Sequence, residues 1–180
     1  MPDRPRKPQD RGPRRRSATA PSERTRGAEP TRFAAYSLMR AVSEGAYANL
    51  EMPTILRRRR LEGRDAAFAT ELAFGTIRWQ GFYDAVIASA ADRPVGKIDP
   101  KVLDVLRLGA HQVLGMRVAG HAAVDQTVGL ARTVAGQGAG GFANAVLRRV
   151  TERSAPEWCD LVAPVDGGAA ALAVRYSHPE

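Results

Sequence analysis

The stretch Gly63-Arg-Asp-Ala-Ala-Phe-Ala-Thr-Glu-Leu-Ala-Phe-Gly-Thr-Ile-Arg-Trp79 decides the fold class of this chain. Its apolar positions recur three or four residues apart, which is the spacing of one helix face. The face continues beyond the stretch and comprises Phe68, Leu72, Gly75, Trp79, Tyr83, Val86 and Ala90. The pattern predicts one long helix, or two nearly collinear ones, over residues 64–91. Because Gly75 costs a helix about 1 kcal/mol relative to alanine, we expect another helix to cross closely at this position.

The same helical period recurs on both sides of this stretch. Thr31, which follows Pro30, is typical of a helix cap, and the first helix should end near Gly45. A second helix is expected over residues 49–60, and Asp99-Pro100 is typical of the start of another. Two further stripes of apolar residues at helical spacing run over residues 124–135 and 143–150. No segment shows the alternation of apolar and polar residues that is typical of a strand. We therefore predict an all-α bundle of about six to seven helices over residues 31–153. Residues 154–180 should form a linker with room for one brief helix.

The first 30 residues differ in composition from the rest of the chain. They contain eight arginines and one lysine against four acidic residues, with six prolines and no leucine, isoleucine, valine or aromatic residue. Such a segment buries too little apolar surface to offset its loss of conformational entropy, so we predict a disordered basic arm over residues 1–30. The arm either binds a polyanion or only aids solubility. The pI of the whole chain, about 10.5, favours a polyanionic partner, without separating RNA from DNA or an anionic membrane.

Several kinds of active site are disfavoured. The single cysteine, Cys159, has acidic neighbours rather than the cationic ones that activate a nucleophilic thiol, and the three histidines show no metal-ligand spacing. Residues 136–141 match the glycine pattern G-x-G-x-x-G, but they follow a predicted helix rather than a strand, so we interpret them as a flexible connection between helices. We predict no catalytic, cofactor-binding or metal-binding residue in this chain. No signal peptide pattern or run of ~20 apolar residues is present, so we expect a cytoplasmic location and no membrane partner.

Recognition of RNA is the remaining possibility. Bases of single-stranded RNA stack on aromatic rings and guanidinium planes. Trp79 and Tyr83 lie on the apolar face, so we assign them to the core. The predicted RNA-binding residues are Arg14, Arg15, Arg16, Arg24, Arg26, Arg32, Phe68 and Arg78. Four consecutive arginines at 57–60 either contact RNA or cap their helix, and we favour the cap.

Three segments resemble a known family. Glu71-Leu-Ala-Phe-Gly-Thr-Ile-Arg78, His121-Ala-Ala123 and Asn144-Ala-Val-Leu-Arg148 are similar to the NusB fold, an all-helical RNA-binding domain. The sequences of these segments most resemble the NusB-like domain at the N-terminus of bacterial 16S rRNA cytosine-5 methyltransferases of the small-subunit methyltransferase B type. The tail Arg175-Tyr-Ser-His-Pro179 resembles the sequence that leads into their next subdomain, so we expect the natural chain to continue.

The resemblance implies two alternative functions. In the first, the chain docks 16S rRNA for a downstream domain, absent here, that methylates cytosine with S-adenosylmethionine. In the second, it is a free-standing antitermination adaptor that binds RNA beside ribosomal protein S10. In such adaptors an arginine-rich start of the first helix contributes to RNA binding, which by resemblance selects Arg24, Arg26 and Arg32. A module that binds only proteins is a third possibility.

Overall fold

The described part of the chain is entirely helical, as predicted. The computed structural model describes residues 29–116, 118–163 and 174, so nearly all of the predicted arm and most of the tail lie outside the described residues. Within that part there are eight α-helices, a short 3₁₀ turn at Val95–Lys97 and no strand. The helices are α1 (Pro30–Ser43), α2 (Ala48–Arg59), α3 (Gly63–Arg78), α4 (Gln80–Ala91), α5 (Pro100–Leu114), α6 (Gly120–Ala135), α7 (Gln137–Val150) and α8 (Ala155–Val162).

The number of helices agrees with the prediction, because seven of the described helices, α1 to α7, form the bundle expected over residues 31–153. The long stripe is two helices, because Trp79 leaves the helical region (φ −104°, ψ 19°) and separates α3 from α4. Helix α8, with eight residues, lies in the predicted linker, for which one brief helix was expected. Its Trp158 is 2% exposed and donates a hydrogen bond from Nε1 to the Val150 carbonyl at 2.9 Å. This helix therefore packs on the bundle.

The start of α1 differs in detail from the prediction. The residue at its cap is Glu29 rather than Thr31, and the Glu29 carboxylate accepts a hydrogen bond from the Thr31 backbone N–H at 3.2 Å. The Thr31 hydroxyl donates to the same carboxylate. A carboxylate at this position stabilises the positive end of the helix dipole, and these hydrogen bonds hold the pKa of Glu29 below its usual value against the opposing effect of burial.

Helix α5 is the centre of the bundle. Ten of its fifteen residues are buried, and it contacts α1, α3, α4, α6 and α7. It also carries Asp104, whose side chain is 4% exposed and accepts hydrogen bonds from Arg40 of α1 and Arg107, each at 3.0 Å. Arg107 in turn donates to both carboxylate oxygens of Asp84 on α4, at 2.6 and 2.7 Å. This network fixes α1 and α4 against the central helix.

The close crossing expected at Gly75 is confirmed. A Cβ atom at this position would lie 2.1 Å from Nε2 of His111 on α5, so only glycine fits. His111 is held by Tyr83, since Nδ1 lies 2.7 Å from the phenol oxygen. Burial raises the pKa of Tyr83 and lowers the pKa of His111, so both side chains are neutral at pH 7.

Replacing the glycine at this crossing should destabilise the bundle. Gly75→Ala would drive a methyl group into a buried imidazole, and we expect a loss of about 1–3 kcal/mol in the free energy of unfolding. Gly129→Ala in α6 is the matched control, because a Cβ there meets nothing within 4 Å. The control should gain about 0.5–1 kcal/mol. Urea unfolding followed by circular dichroism measures both; equal stability of the two variants would contradict the tight crossing.

The buried histidine should make stability depend on pH. Its folded pKa is depressed below 6.5, so the unfolded chain binds a proton that the folded chain does not. The stability contributed by neutral, buried His111 is complete above the pKa of the histidine in the unfolded chain. It is lost as the pH falls toward the lower pKa that the histidine has in the folded chain. We expect the free energy of unfolding to drop between pH 7.5 and 5.5, and to drop less in His111→Gln. The exposed His121→Gln should retain the dependence of the unmodified protein.

Candidate nucleic-acid interface

One end of the bundle brings together the start of α1 and the ends of α2 and α5. The Arg59 guanidinium carbon lies 4.2 Å from the centre of the Phe33 ring, which places the end of α2 on the start of α1. Arg32 Nε donates to Gln112 Oε1 at 2.7 Å, which joins the start of α1 to the end of α5. Helix α6 begins a few residues after α5 ends. We call this region the basic end. Glu29, the first residue of the long described segment, lies here, so the predicted arm is attached to this end.

Four consecutive arginines, residues 57–60, form the main charged feature of the basic end, and we call them the arginine cluster. All four are exposed, and none pairs with a carboxylate of the described residues. The guanidinium of Arg59 packs over the Phe33 ring, and this partial desolvation lowers the pKa of Arg59 although the residue as a whole is exposed. A hollow of about 320 Å³ between α1 and α2 is lined by Ser37, Ile55, Arg58 and Arg59. The hollow therefore offers uncompensated positive charge beside a hydroxyl group.

The cluster forms the last turn and the C-cap of α2, where its positive charge suits the negative end of the helix dipole, as the sequence favoured. The backbone N–H of Arg60, a residue with φ of 54°, donates to the Arg57 carbonyl at 3.1 Å, and that of Leu61 donates to the Leu56 carbonyl at 3.0 Å. The backbone thus satisfies carbonyls at the end of this helix, in the manner of a left-handed cap. The hydrogen bond found for a cluster side chain joins Arg57 Nη2 to Thr54 Oγ1 at 3.3 Å. The guanidinium groups remain accessible to a ligand.

Arg32, the predicted residue that the structure places at the basic end, has internal partners. Its side chain is 13% exposed, and Nη1 lies 2.7 Å from the Glu29 carboxylate. Its guanidinium carbon lies 5.1 Å from the centre of the half-buried Phe68 ring. Together with the Gln112 hydrogen bond, these contacts join α1, α3 and α5. Arg32 and Phe68 therefore lie together, but most of their side-chain contacts are with other residues of the protein, which leaves little of either side chain for a ligand.

The other predicted residues are not part of this group. Arg78 is exposed in the last turn of α3, a helix of 16 residues that begins just after the arginine cluster. At 1.5 Å per residue, it lies about 22 Å along the helix from Gly63. The remaining candidates, Arg14, Arg15, Arg16, Arg24 and Arg26, lie outside the described residues.

A second polar feature lies between α6 and α7. A cleft of about 390 Å³ is lined by His121, Asp125, Asn144, Arg148 and Thr151, with Val124 among its lining residues. The sequence predicted helices for these two segments and related them to a known family, but it assigned them no ligand. The signal was available in the spacing, because His121 and Asp125, like Asn144 and Arg148, are four residues apart and share a helix face.

The glycine run does not have the form of a nucleotide-binding loop. Gly136 alone makes the turn, with φ of 87°, and α7 begins at Gln137. A helix rather than a strand precedes it, and a Cβ at Gly140 would lie 2.5 Å from the Arg132 side chain. The flexible connection predicted over residues 136–141 is thus a one-residue turn followed by a helix. These residues do not fit a dinucleotide or S-adenosylmethionine.

The described residues contain neither a metal-ligand cluster nor a membrane-spanning helix. No three histidine, cysteine, aspartate or glutamate side chains there come together as a metal site. In the same part of the chain, no helix combines the length and the apolar character needed to cross a membrane. The single cysteine, Cys159, is partly buried on α8.

The comparison with protein families decides where this fold belongs. The model of the NusB family matches residues 29–152, which covers α1 to α7. The chain belongs to the NusB family.

Its relatives carry the domain as part of longer proteins. A Mycobacterium tuberculosis protein provisionally named a methyltransferase is 47% identical over 158 residues, which are 87% of this chain and 32% of the relative. Ribosomal RNA small subunit methyltransferase B of Pseudomonas putida is 36% identical over 120 residues, 67% of this chain and 27% of the relative. The NusB-family chain thus spans about a third of the length of these relatives. A chain in a crystal structure described as a plectonemic RNA supercoil has the same fold, with a TM-score of 0.62, 20% identity, and coverage of 68% of this chain and 92% of that one.

Removing Arg32 should cost stability, whereas removing Arg78 should not. In Arg32→Met the buried Gln112 oxygen and the Glu29 carboxylate lose a partner, and we expect a loss of about 1–3 kcal/mol. Arg78→Met changes an exposed side chain and should stay within about 0.5 kcal/mol of the unmodified protein. Urea unfolding measures both values. If Arg32→Met left the free energy of unfolding unchanged, the internal contacts of Arg32 would not matter for stability, and its side chain would be free to bind a ligand.

Proposed function

We propose that this NusB-family chain is a cytoplasmic RNA-binding domain that docks 16S rRNA for methylation of a cytosine at C5. The observation that carries the proposal is the arginine cluster, which is exposed and without a carboxylate partner among the described residues. It lies at the end of the bundle to which a segment with eight more arginines is attached.

The physical basis is the binding of phosphates by unpaired arginines. Each phosphate that a guanidinium neutralises releases condensed counterions, and this entropy gain drives association with RNA. Arg guanidinium groups also match the geometry of phosphate oxygens. Within the cluster, the exposed Arg59 guanidinium, which lies over the Phe33 ring, offers a plane on which a base can stack. Such contacts position an RNA strand without requiring a particular sequence.

The methyltransferase part of the proposal is supported by the relatives. Ribosomal RNA small subunit methyltransferase B is the name of several of them, and in each the matching region is a minor part of the protein. We assign binding of S-adenosylmethionine and methyl transfer to sequence beyond this domain, and no catalytic residue to the chain itself. The domain would contribute affinity and orientation, which lower the entropy cost of bringing rRNA to a catalytic group.

A second candidate function is that of a transcription antitermination adaptor that binds RNA together with ribosomal protein S10. One observation favours it: Tyr47 and Leu50, at the start of α2, are 76% and 69% exposed, which suits a protein partner. Co-purification of S10 with the chain, lost on Tyr47→Ser/Leu50→Ser, would favour the adaptor. Binding to 16S rRNA fragments without S10 would favour the docking domain.

The arginine cluster should account for part of the salt dependence of RNA binding. In Arg57→Gln/Arg58→Gln, we expect weaker binding to a 16S rRNA fragment at low salt. The slope of log affinity against log salt should shrink by about 0.7 to 0.9 for each phosphate that the variant no longer neutralises. Fluorescence anisotropy across a salt series measures this slope.

A matched variant removes the same charge at the other end of α5. Lys97 and Lys101 are both exposed there, so Lys97→Gln/Lys101→Gln should leave the slope unchanged. Equal effects of the two double variants would mean that only net charge matters. An affinity that does not depend on salt in the unmodified protein would refute the phosphate-contact proposal.

A further inference from the structure

The cleft between α6 and α7 points to a second contact with the RNA. We propose that it holds one unpaired nucleotide, with its phosphate on Arg148 and the edge of its base on Asp125. This inference rests on the proposed function, because it assigns a specific part of the same RNA to a separate surface. The chemistry of the cleft selects a guanine as the base that fits best.

The size and construction of the cleft suit a single nucleotide. Its volume of about 390 Å³ lies in the range of ~300–1,000 Å³ that is typical of small-ligand sites. Its walls are two adjacent helices of 16 and 14 residues, joined by a turn at Gly136. Side chains on paired helices are positioned more rigidly than those on loops, as recognition of a single base requires.

Arg148 provides the contact for an anion. It is exposed, and it forms no ion pair with the described residues. Its Nε donates to Asn144 Oδ1 at 3.3 Å, which orients the guanidinium from one side. The remaining N–H groups of the guanidinium are suited to two oxygens of one phosphate.

Asp125 shows that a simple anion is not the whole ligand. Its carboxylate is exposed in the same cleft and forms no ion pair with the part of the chain that is described. An ionised carboxylate can accept hydrogen bonds but cannot donate them. An isolated phosphate would be repelled by this group. The ligand therefore combines a negative group for Arg148 with N–H donors for Asp125.

A guanosine nucleotide combines these features. The Watson–Crick edge of guanine presents N1–H and the N2 amino group side by side, and two parallel donors match the two oxygens of a carboxylate. Unpaired bases in RNA are read along this edge and stack on rings such as imidazole. His121 is exposed one helical turn before Asp125 and provides such a ring in the same cleft.

The position of the cleft is consistent with one continuous RNA strand. Helix α6 begins after a short connection from the end of α5, and Gln112 near that end donates to Thr127 of α6 at 3.1 Å. The same Gln112 accepts the hydrogen bond from Arg32 at the basic end. The start of α6, which contributes His121 to the cleft, therefore lies at the same end of the bundle as the arginine cluster.

Replacing one guanosine by inosine tests the inference directly. Two labelled single-stranded uridine-rich RNAs would be compared by fluorescence anisotropy with the full chain, one with a central guanosine and one with inosine, which lacks the N2 amino group. We expect the guanosine RNA to bind roughly tenfold more tightly, the discrimination typical of a two-point contact to a base. Asp125→Asn should abolish this preference, because an amide offers one acceptor rather than two.

Two further variants separate the roles of the lining residues. Arg148→Gln should weaken the binding of both RNAs by the same factor, because a phosphate contact does not depend on the identity of the base. Lys101→Gln, which removes a charge from the opposite end of α5, should preserve both the affinity and the guanosine preference. Thermal unfolding by circular dichroism should show that these exposed substitutions leave the fold unchanged.

The outcomes distinguish this inference from the proposed function. RNA binding that depends on the arginine cluster but shows no guanosine preference in the unmodified protein would overturn the cleft assignment alone. A preference that survives Asp125→Asn would also overturn it. No binding of any RNA by the unmodified protein would overturn the proposed function, and the cleft assignment with it.

Discussion

The structure depends on one constraint: α5 is buried by five neighbouring helices while it carries Asp104, His111 and Gln112. A buried polar group without a partner costs more than a hydrogen bond returns, so each of these residues needs a specific atom on another helix. Asp104 is bonded by arginines, His111 Nδ1 by a tyrosine of α4, and Gln112 by Arg32 and Thr127. His111 Nε2 is buried against Gly75 and has no hydrogen-bond partner among the described residues. Apolar packing alone would tolerate several arrangements of the helices, whereas these pairs select one of them.

This constraint also divides the arginines into two classes. Arg32, Arg40 and Arg107 are engaged by carboxylates or amides around α5, so their charge is largely neutralised within the fold. The arginine cluster has no such carboxylate among the described residues and faces solvent at the end of α2. The first class sets the relative positions of the helices, and the second supplies the charge that a polyanion can neutralise. Arginine thus serves both the fold and the proposed binding: its charge is neutralised by internal partners in the first case and left for a ligand in the second.

An all-helical domain suits a docking role. Its exposed side chains are held on rigid elements, its ends expose charge without a deep catalytic cavity, and its core leaves no strand edge on which other chains can pair within the described region. In our proposal, affinity for RNA resides here and group transfer resides in another part of a longer protein. Such a division lets weak phosphate contacts position a large substrate while the chemistry depends on a separate, enclosed site.

The sequence by itself determined the helical class, the approximate helix bounds and the close approach at Gly75, because apolar spacing and a helical glycine are local signals. It also identified the basic character of the chain. Only the tertiary structure decided which charges are available: it placed Arg32 against Gln112 and Phe68, and left the arginine cluster unpaired among the described residues. Pairing between residues 80 positions apart, as for Arg32 and Gln112, leaves no periodic trace in the chain. The sequence spacing places Asp125 and Arg148 each on one face of its own helix, but only the packing of α6 on α7 brings the two side chains into one cleft.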